Sequence, residues 1–154
     1  MTTRKTIDDF LGAKRLAVVG VSRNPKDFTR SLFRELRSRG YDVVPVHPDA
    51  TEMDGVPAVA RVSEVSPPAD GALLLTRPQV TGEVVRQCQE AGIRRIWMYR
   101  AVGAGAVSLQ AVEFCEKNGM SVVAGECPFM FLPGSGFPHN THAFCKKLVG
   151  SYPK

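Results

Sequence analysis

A chain of 154 residues with 44% apolar and 23% charged residues has the size and composition of about one globular domain, large enough to bury a substantial core. Its 20 Lys and Arg against 15 Asp and Glu leave a net charge of +5, which suits an anionic partner; the charges are dispersed, so nucleic acid is not the expected one. No run of about 18 apolar residues is present, so no membrane-spanning helix is expected; residues 1–10 lack an apolar signal core, and the expected location is the cytoplasm.

Thr6 is placed to cap a short helix over residues 7–13, with Asp9 three residues on in a capping-box pattern. Residues 16–19 form an apolar run that predicts a fully buried parallel strand. Gly20 then frees the backbone, and a polar turn leads into a helical pattern over 30–39 with Leu32, Phe33 and Leu36 on one face. Arg30, Arg34 and Arg37 make a stripe on another face, which reads as a solvated outer surface. Gly40 stops this helix, and Asp42–Val46 is the second strand, with Pro45 arguing for an edge.

Residues 51–68 make a longer connection, with a short strand over 56–59 and a helical turn over 62–65. A buried strand over 72–75 follows, and Pro78 suits the first position of a helix running to Ala91 and stopped by Gly92. Residues 96–98 predict another strand, 100–105 a glycine-rich loop, and Ser108 caps a helix that Gly119 ends. The last strand is 122–124.

Strands that alternate with helices in this way predict an α/β fold with right-handed crossovers. The expectation is a Rossmann-like, doubly wound open parallel sheet of about five strands in the order 3-2-1-4-5, with helices on both faces. Residues 1–128 would make this domain with its short N-terminal helix, and residues 129–154 a C-terminal extension. The apolar run 129–132, with Phe137 and Phe144 beyond it, is expected to pack across the sheet or on a partner subunit, which would make a homodimer.

Ligands in such sheets bind outside the carboxyl ends of the strands, where the strand order reverses. There the stretch Gly20-Val21-Ser22-Arg23-Asn24-Pro25-Lys26 joins a strand to a helix. Backbone N–H groups at a helix start suit a diphosphate, and Arg23 and Lys26 add full charges. The dinucleotide fingerprint needs three spaced glycines and an acidic residue ending the second strand. Only Gly20 matches, and the second strand ends in Val46-His47-Pro48. That weakens NAD and keeps a nucleoside diphosphate; a tight turn without a ligand is the alternative.

Thr76-Arg77-Pro78 is a second anion candidate, with a plain helix cap as its alternative. His47 and Pro48 offer a flat ring and a rigid backbone for an adenine or ribose, or only a turn ending the strand. No Ser-His-Asp or metalloprotease pattern occurs, and Glu126 beside Cys127 is the best lone candidate for chemistry. A core or loop role for that pair is the alternative. Cys88 and Cys115 sit at helical spacing with valines and read as reduced core thiols. His139, His142 and Cys145 could join Cys127 around zinc, but paired ligand spacing is missing and no metal is expected.

Taken in order, the stretch 20–25, Val46-His47-Pro48, Thr76-Arg77-Pro78 and Cys127-Pro128 resemble the CoA-binding protein family. This is the stand-alone group related to the N-terminal domain of the succinyl-CoA synthetase alpha subunit. The resemblance implies a Rossmann-like domain that holds CoA or an acyl-CoA through its ADP portion. It implies that residues 22–26 face the diphosphate, 46–48 the adenosine end, and Thr76 and Arg77 the phosphates or ribose. The synthetase's reaction is not implied. A CoA- or NAD(P)-dependent enzyme using Glu126 or Cys127 is the alternative to a non-catalytic binding domain.

Overall fold

Strands and helices alternate as the apolar periodicity requires. The computed structural model describes residues 2–100 and 103–133. In chain order these form α1 (Arg4–Leu11), β1 (Arg15–Val19), α2 (Phe28–Ser38), β2 (Asp42–Val46), β3 (Glu52–Met53) and β4 (Val56–Pro57). A short helical turn at Val62–Glu64 leads to β5 (Gly71–Leu74), α3 (Pro78–Glu90), β6 (Arg95–Tyr99), α4 (Leu109–Lys117) and β7 (Ser121–Glu126). A last helical turn covers Pro128–Met130. No described helix is long and apolar enough to cross a membrane.

The main sheet is parallel in the order β2-β1-β5-β6-β7. This is the doubly wound arrangement, with its reversal between β1 and β5. The chain leaves β1 through α2 on one face and leaves β5 through α3 on the other. The outermost strand expected over 56–59 is reduced to one parallel bridge between Val46 and Val59. Pro57 has no N–H to give a ladder, and Val56–Pro57 instead pair antiparallel with Glu52–Met53.

Each face of the sheet buries its own core. Ala17, Val19, Ala72, Leu74, Ile96 and Met98 point to the side covered by α3 and α4. Leu16, Val18, Leu73, Trp97 and Val123 point to the side of α1 and α2. Each fully buried large apolar side chain contributes roughly 1.5–3 kcal/mol. Trp97 is wholly buried there, edge-on to Phe10 at 5.3 Å and Phe131 at 6.0 Å. Burial pushes the Cys88 and Cys115 thiols up to about 12 and about 11, as expected of core cysteines.

Three local expectations need correction or extension. First, α1 starts earlier than residue 7: Thr3, not Thr6, is its cap, and the two threonines exchange the reciprocal bonds of a capping box. Asp9 takes no part in that cap and pairs with Arg95 at 3.1 Å. Secondly, the arginine stripe of α2 is solvated only in part: Arg34 and Arg37 are exposed, as expected, but Arg30 is not. Arg30 is only 7% exposed, and Arg30, Arg34 and Arg37 all reach Asp54 in the β3–β4 turn. Thirdly, Met130, Phe131 and Leu132 are buried against the chain's own sheet. The homodimer expectation then rests on residues 134–154, Phe137 and Phe144 among them, which lie outside the described residues.

Candidate functional site

Gly20 closes β1 with φ +92, and its N–H donates to the Val46 carbonyl at 3.1 Å. A Cβ at this position would lie 3.0 Å from the Leu75 carbonyl carbon and oxygen. The ends of β1 and β5 therefore meet backbone to backbone, and only glycine fits between them. The chain then turns through residues 21–27 into α2.

This turn is held by its own side chains. Ser22 N–H donates to Thr29 Oγ1 at 2.8 Å, Asn24 N–H to Ser22 Oγ at 3.1 Å, and Lys26 N–H to Asn24 Oδ1 at 3.0 Å. Asp27 caps α2 by accepting from the Thr29 hydroxyl and N–H, which holds its carboxyl below the usual carboxylate range. The positive end of α2 thus already faces a carboxylate, and three loop N–H groups already have partners. The backbone N–H groups that this loop would offer to a diphosphate are thus taken in part by the chain's own side chains. Short polar side chains in a turn compete for those donors. The helix without a side-chain cap is α3, which begins at Arg77-Pro78.

A cleft of about 680 Å³ opens between the turn, the end of β2 and α3. Of the residues singled out in the sequence, it gathers Gly20, Val21, Ser22, Arg23 and Asn24 from the turn, Val46, His47 and Pro48 at the end of β2, and Thr76 and Arg77 just beyond β5. Pro25, Lys26 and Pro78 are not in its lining. Arg23 and Arg77 are exposed, and neither guanidinium has a protein partner among the described residues. Both are available to an anion. His47 Nδ1 accepts from the Asp49 N–H at 3.0 Å, which turns the ring's other nitrogen into its donor.

The far wall is α3, which contributes Val80, Glu83, Val84 and Gln87. These positions follow the spacing of one helical face, and that spacing was the available signal for them. Val80 is a large apolar side chain left 45% exposed. Thr81, fully buried, fastens this helix: its hydroxyl contacts Thr76 Oγ1 at 2.8 Å and donates to the Ala106 carbonyl at 2.7 Å. Thr76 and Arg77 are thereby held at the mouth of the cleft.

Comparison with known proteins bears on the family and the fold. Residues 14–133 match the CoA binding domain. The chain belongs to the CoA-binding domain family. It is 27% identical to the uncharacterized protein YneT of Bacillus subtilis over 115 residues, which are 75% of this chain and 82% of that one. It is 26% identical over 129 residues to the alpha subunit of an ADP-forming acetate–CoA ligase II of Pyrococcus furiosus, covering 79% of this chain but 28% of that subunit. A conserved hypothetical protein of Pyrococcus furiosus has the same fold, with a TM-score of 0.68, 30% identity, and coverage of 74% of this chain and 95% of that one.

In this CoA-binding domain, Glu126 and Cys127 lie at the end of β7, buried, and outside the cleft lining. The Glu126 carbonyl accepts from the Trp97 indole N–H at 2.9 Å. Cys127 is 3% exposed within the core beneath α1 and α2. The adjoining Tyr99 hydroxyl is pushed up to about 12, chiefly by burial and then by Cys127. Among the described residues no group of three His, Cys, Asp or Glu could hold a metal ion; His139, His142 and Cys145 lie outside them.

Proposed function

We propose that this chain is a cytoplasmic binding module for CoA or an acyl-CoA, without catalysis of its own. The observation that carries the reading is the pair of guanidiniums, Arg23 and Arg77, without a partner among the described residues, on the rim of one cleft at the strand-order reversal. A guanidinium presents a planar fork of donors that matches phosphate oxygens. With α2 capped by Asp27, the positive field comes from these side chains and from the uncapped start of α3. The cleft is within the usual size of small-molecule sites.

The roles divide along the cleft. Ser22, Arg23 and Asn24 face the diphosphate, with Gly20 and Val21 setting the close approach. Pro25 stiffens the turn, and Lys26 adds charge from outside the lining. Val46, His47 and Pro48 receive the adenosine end. Thr76 and Arg77 take the phosphates or ribose, and Pro78 starts the helix that positions them. Glu126 and Cys127 are outside this cleft, which favours binding over a reaction that uses them.

Titration calorimetry of the full chain with CoA, acetyl-CoA, ADP and NAD tests the reading. Binding of CoA, acetyl-CoA and ADP, with NAD weaker, is the expected result. Heat from NAD alone, with no effect of CoA, would overturn it.

A further inference from the structure

The arginines of α2 connect the β3–β4 turn to the back of the anion loop. Asp54 sits at that turn with φ +50. Its carboxylate accepts from Arg30 Nη2 at 2.6 Å and from Arg34 Nε and Nη2 at 2.8 and 3.2 Å. Its carbonyl accepts from Arg37 Nη1 at 3.2 Å. On their other side the first two arginines donate to the loop. Arg30 Nη1 reaches the carbonyls of Ser22 and Arg23 at 3.4 and 3.2 Å, and Arg34 Nη1 reaches the carbonyl of Pro25 at 3.0 Å.

Carbonyl oxygens turned into the cleft would repel an anion. A planar peptide unit sends its N–H opposite to its carbonyl. Drawing the Ser22 carbonyl towards Arg30 therefore turns the Arg23 N–H away from Arg30, and that N–H has no hydrogen bond among the described residues. Resting on the reading that this loop receives a diphosphate, we infer that Asp54 is a positioning residue for it: through Arg30 and Arg34 it holds the carbonyls of Ser22, Arg23 and Pro25 out of the cleft. The arrangement has a cost, since Arg30 Nε is buried without a partner among the described residues. The Arg34 and then the Arg30 hydrogen bonds hold the Asp54 carboxyl down to about 2, so it stays ionised near neutral pH.

The opposing account is simple electrostatics. Removing a carboxylate near the loop leaves it more positive, and an anion should then bind more tightly. The two accounts differ in sign.

The test measures ADP and adenosine affinities of the wild-type chain, Asp54→Asn and Arg34→Lys. Positioning predicts that Asp54→Asn weakens ADP roughly tenfold while adenosine changes little, and that Arg34→Lys, which keeps the charge and loses the fork to Asp54 and Pro25, shows a smaller loss of the same kind. A merely structural role would move both ligands together. Arg34 is 45% exposed at its side chain, and simple electrostatics predicts no change for its charge-conserving variant, so that variant decides if Asp54→Asn does not fold. Unchanged or tighter ADP binding in the variants overturns the inference. A wild-type chain that does not prefer ADP to adenosine overturns the diphosphate reading, and this inference with it.

Discussion

Replacing Gly20 with valine is expected to remove nucleotide binding and to destabilise the fold. The residue holds φ +92, where a β-branched side chain is strained, at a cost of about 1–3 kcal/mol. The new Cβ would also lie 3.0 Å from the Leu75 carbonyl carbon and oxygen and 3.3 Å from Thr76 N. Backbone cannot swing aside as a flexible side chain can, and such overpacking costs about 1–3 kcal/mol more. Against a total stability of about 5–15 kcal/mol that is a large loss. The displaced segment carries Thr76 and Arg77, so the site suffers at both rims. Gly40→Ala is the control: Gly40 also has φ +92, but a Cβ there meets nothing within 4 Å. Urea unfolding should show a clear loss for Gly20→Val and a smaller one for Gly40→Ala. Equal stabilities would mean that the close approach of β1 and β5 is unimportant.

Arg23→Ala and Arg77→Ala are each expected to weaken ADP and CoA by about one to two decades, from roughly 1.5–3 kcal/mol for a charged hydrogen bond. Stability should move little, since both side chains are exposed and without protein partners among the described residues. The backbone cannot take over the whole task. Ser22, Asn24 and Lys26 have committed their N–H groups, and Asp27 occupies the start of α2. Arg→Lys at either position keeps the charge and loses the fork, so it should recover affinity only in part. Calorimetric affinities of the variants, alongside their unfolding curves, check this. An Arg23→Ala chain with wild-type affinity would place the phosphates elsewhere.

Much of the frame is legible in the sequence because its signals are local. The apolar runs at residues 16–19 and 72–74 are buried as expected, Pro78 does sit at the first turn of α3, and Ser108 does cap α4. Gly20, His47 and Arg77 meet in one cleft because the strand order brings the carboxyl ends together. What escapes the sequence depends on partners far along the chain. Arg30, Arg34 and Arg37 have the spacing of a surface stripe, and nothing local reveals Asp54, 24 residues beyond Arg30, as their shared acceptor. The capping of α2 by Asp27 was legible in principle, since Asp commonly precedes a helix. It was obscured by a polar turn in which several residues could start the helix. The reduction of the outer strand to one bridge follows from Pro57 and from the tight turn at Asp54 and Gly55, which favour a short hairpin over a further ladder on β2.

The central claim is that a nucleotide diphosphate lies between Arg23 and Arg77 at the carboxyl edge of the sheet. A crystal of the full chain soaked with CoA tests it most directly. The account predicts density for the diphosphate within hydrogen-bond reach of both guanidiniums, with the adenosine along Val46, His47 and Pro48. CoA ordered elsewhere on the molecule, or a diphosphate out of reach of both arginines, would contradict it.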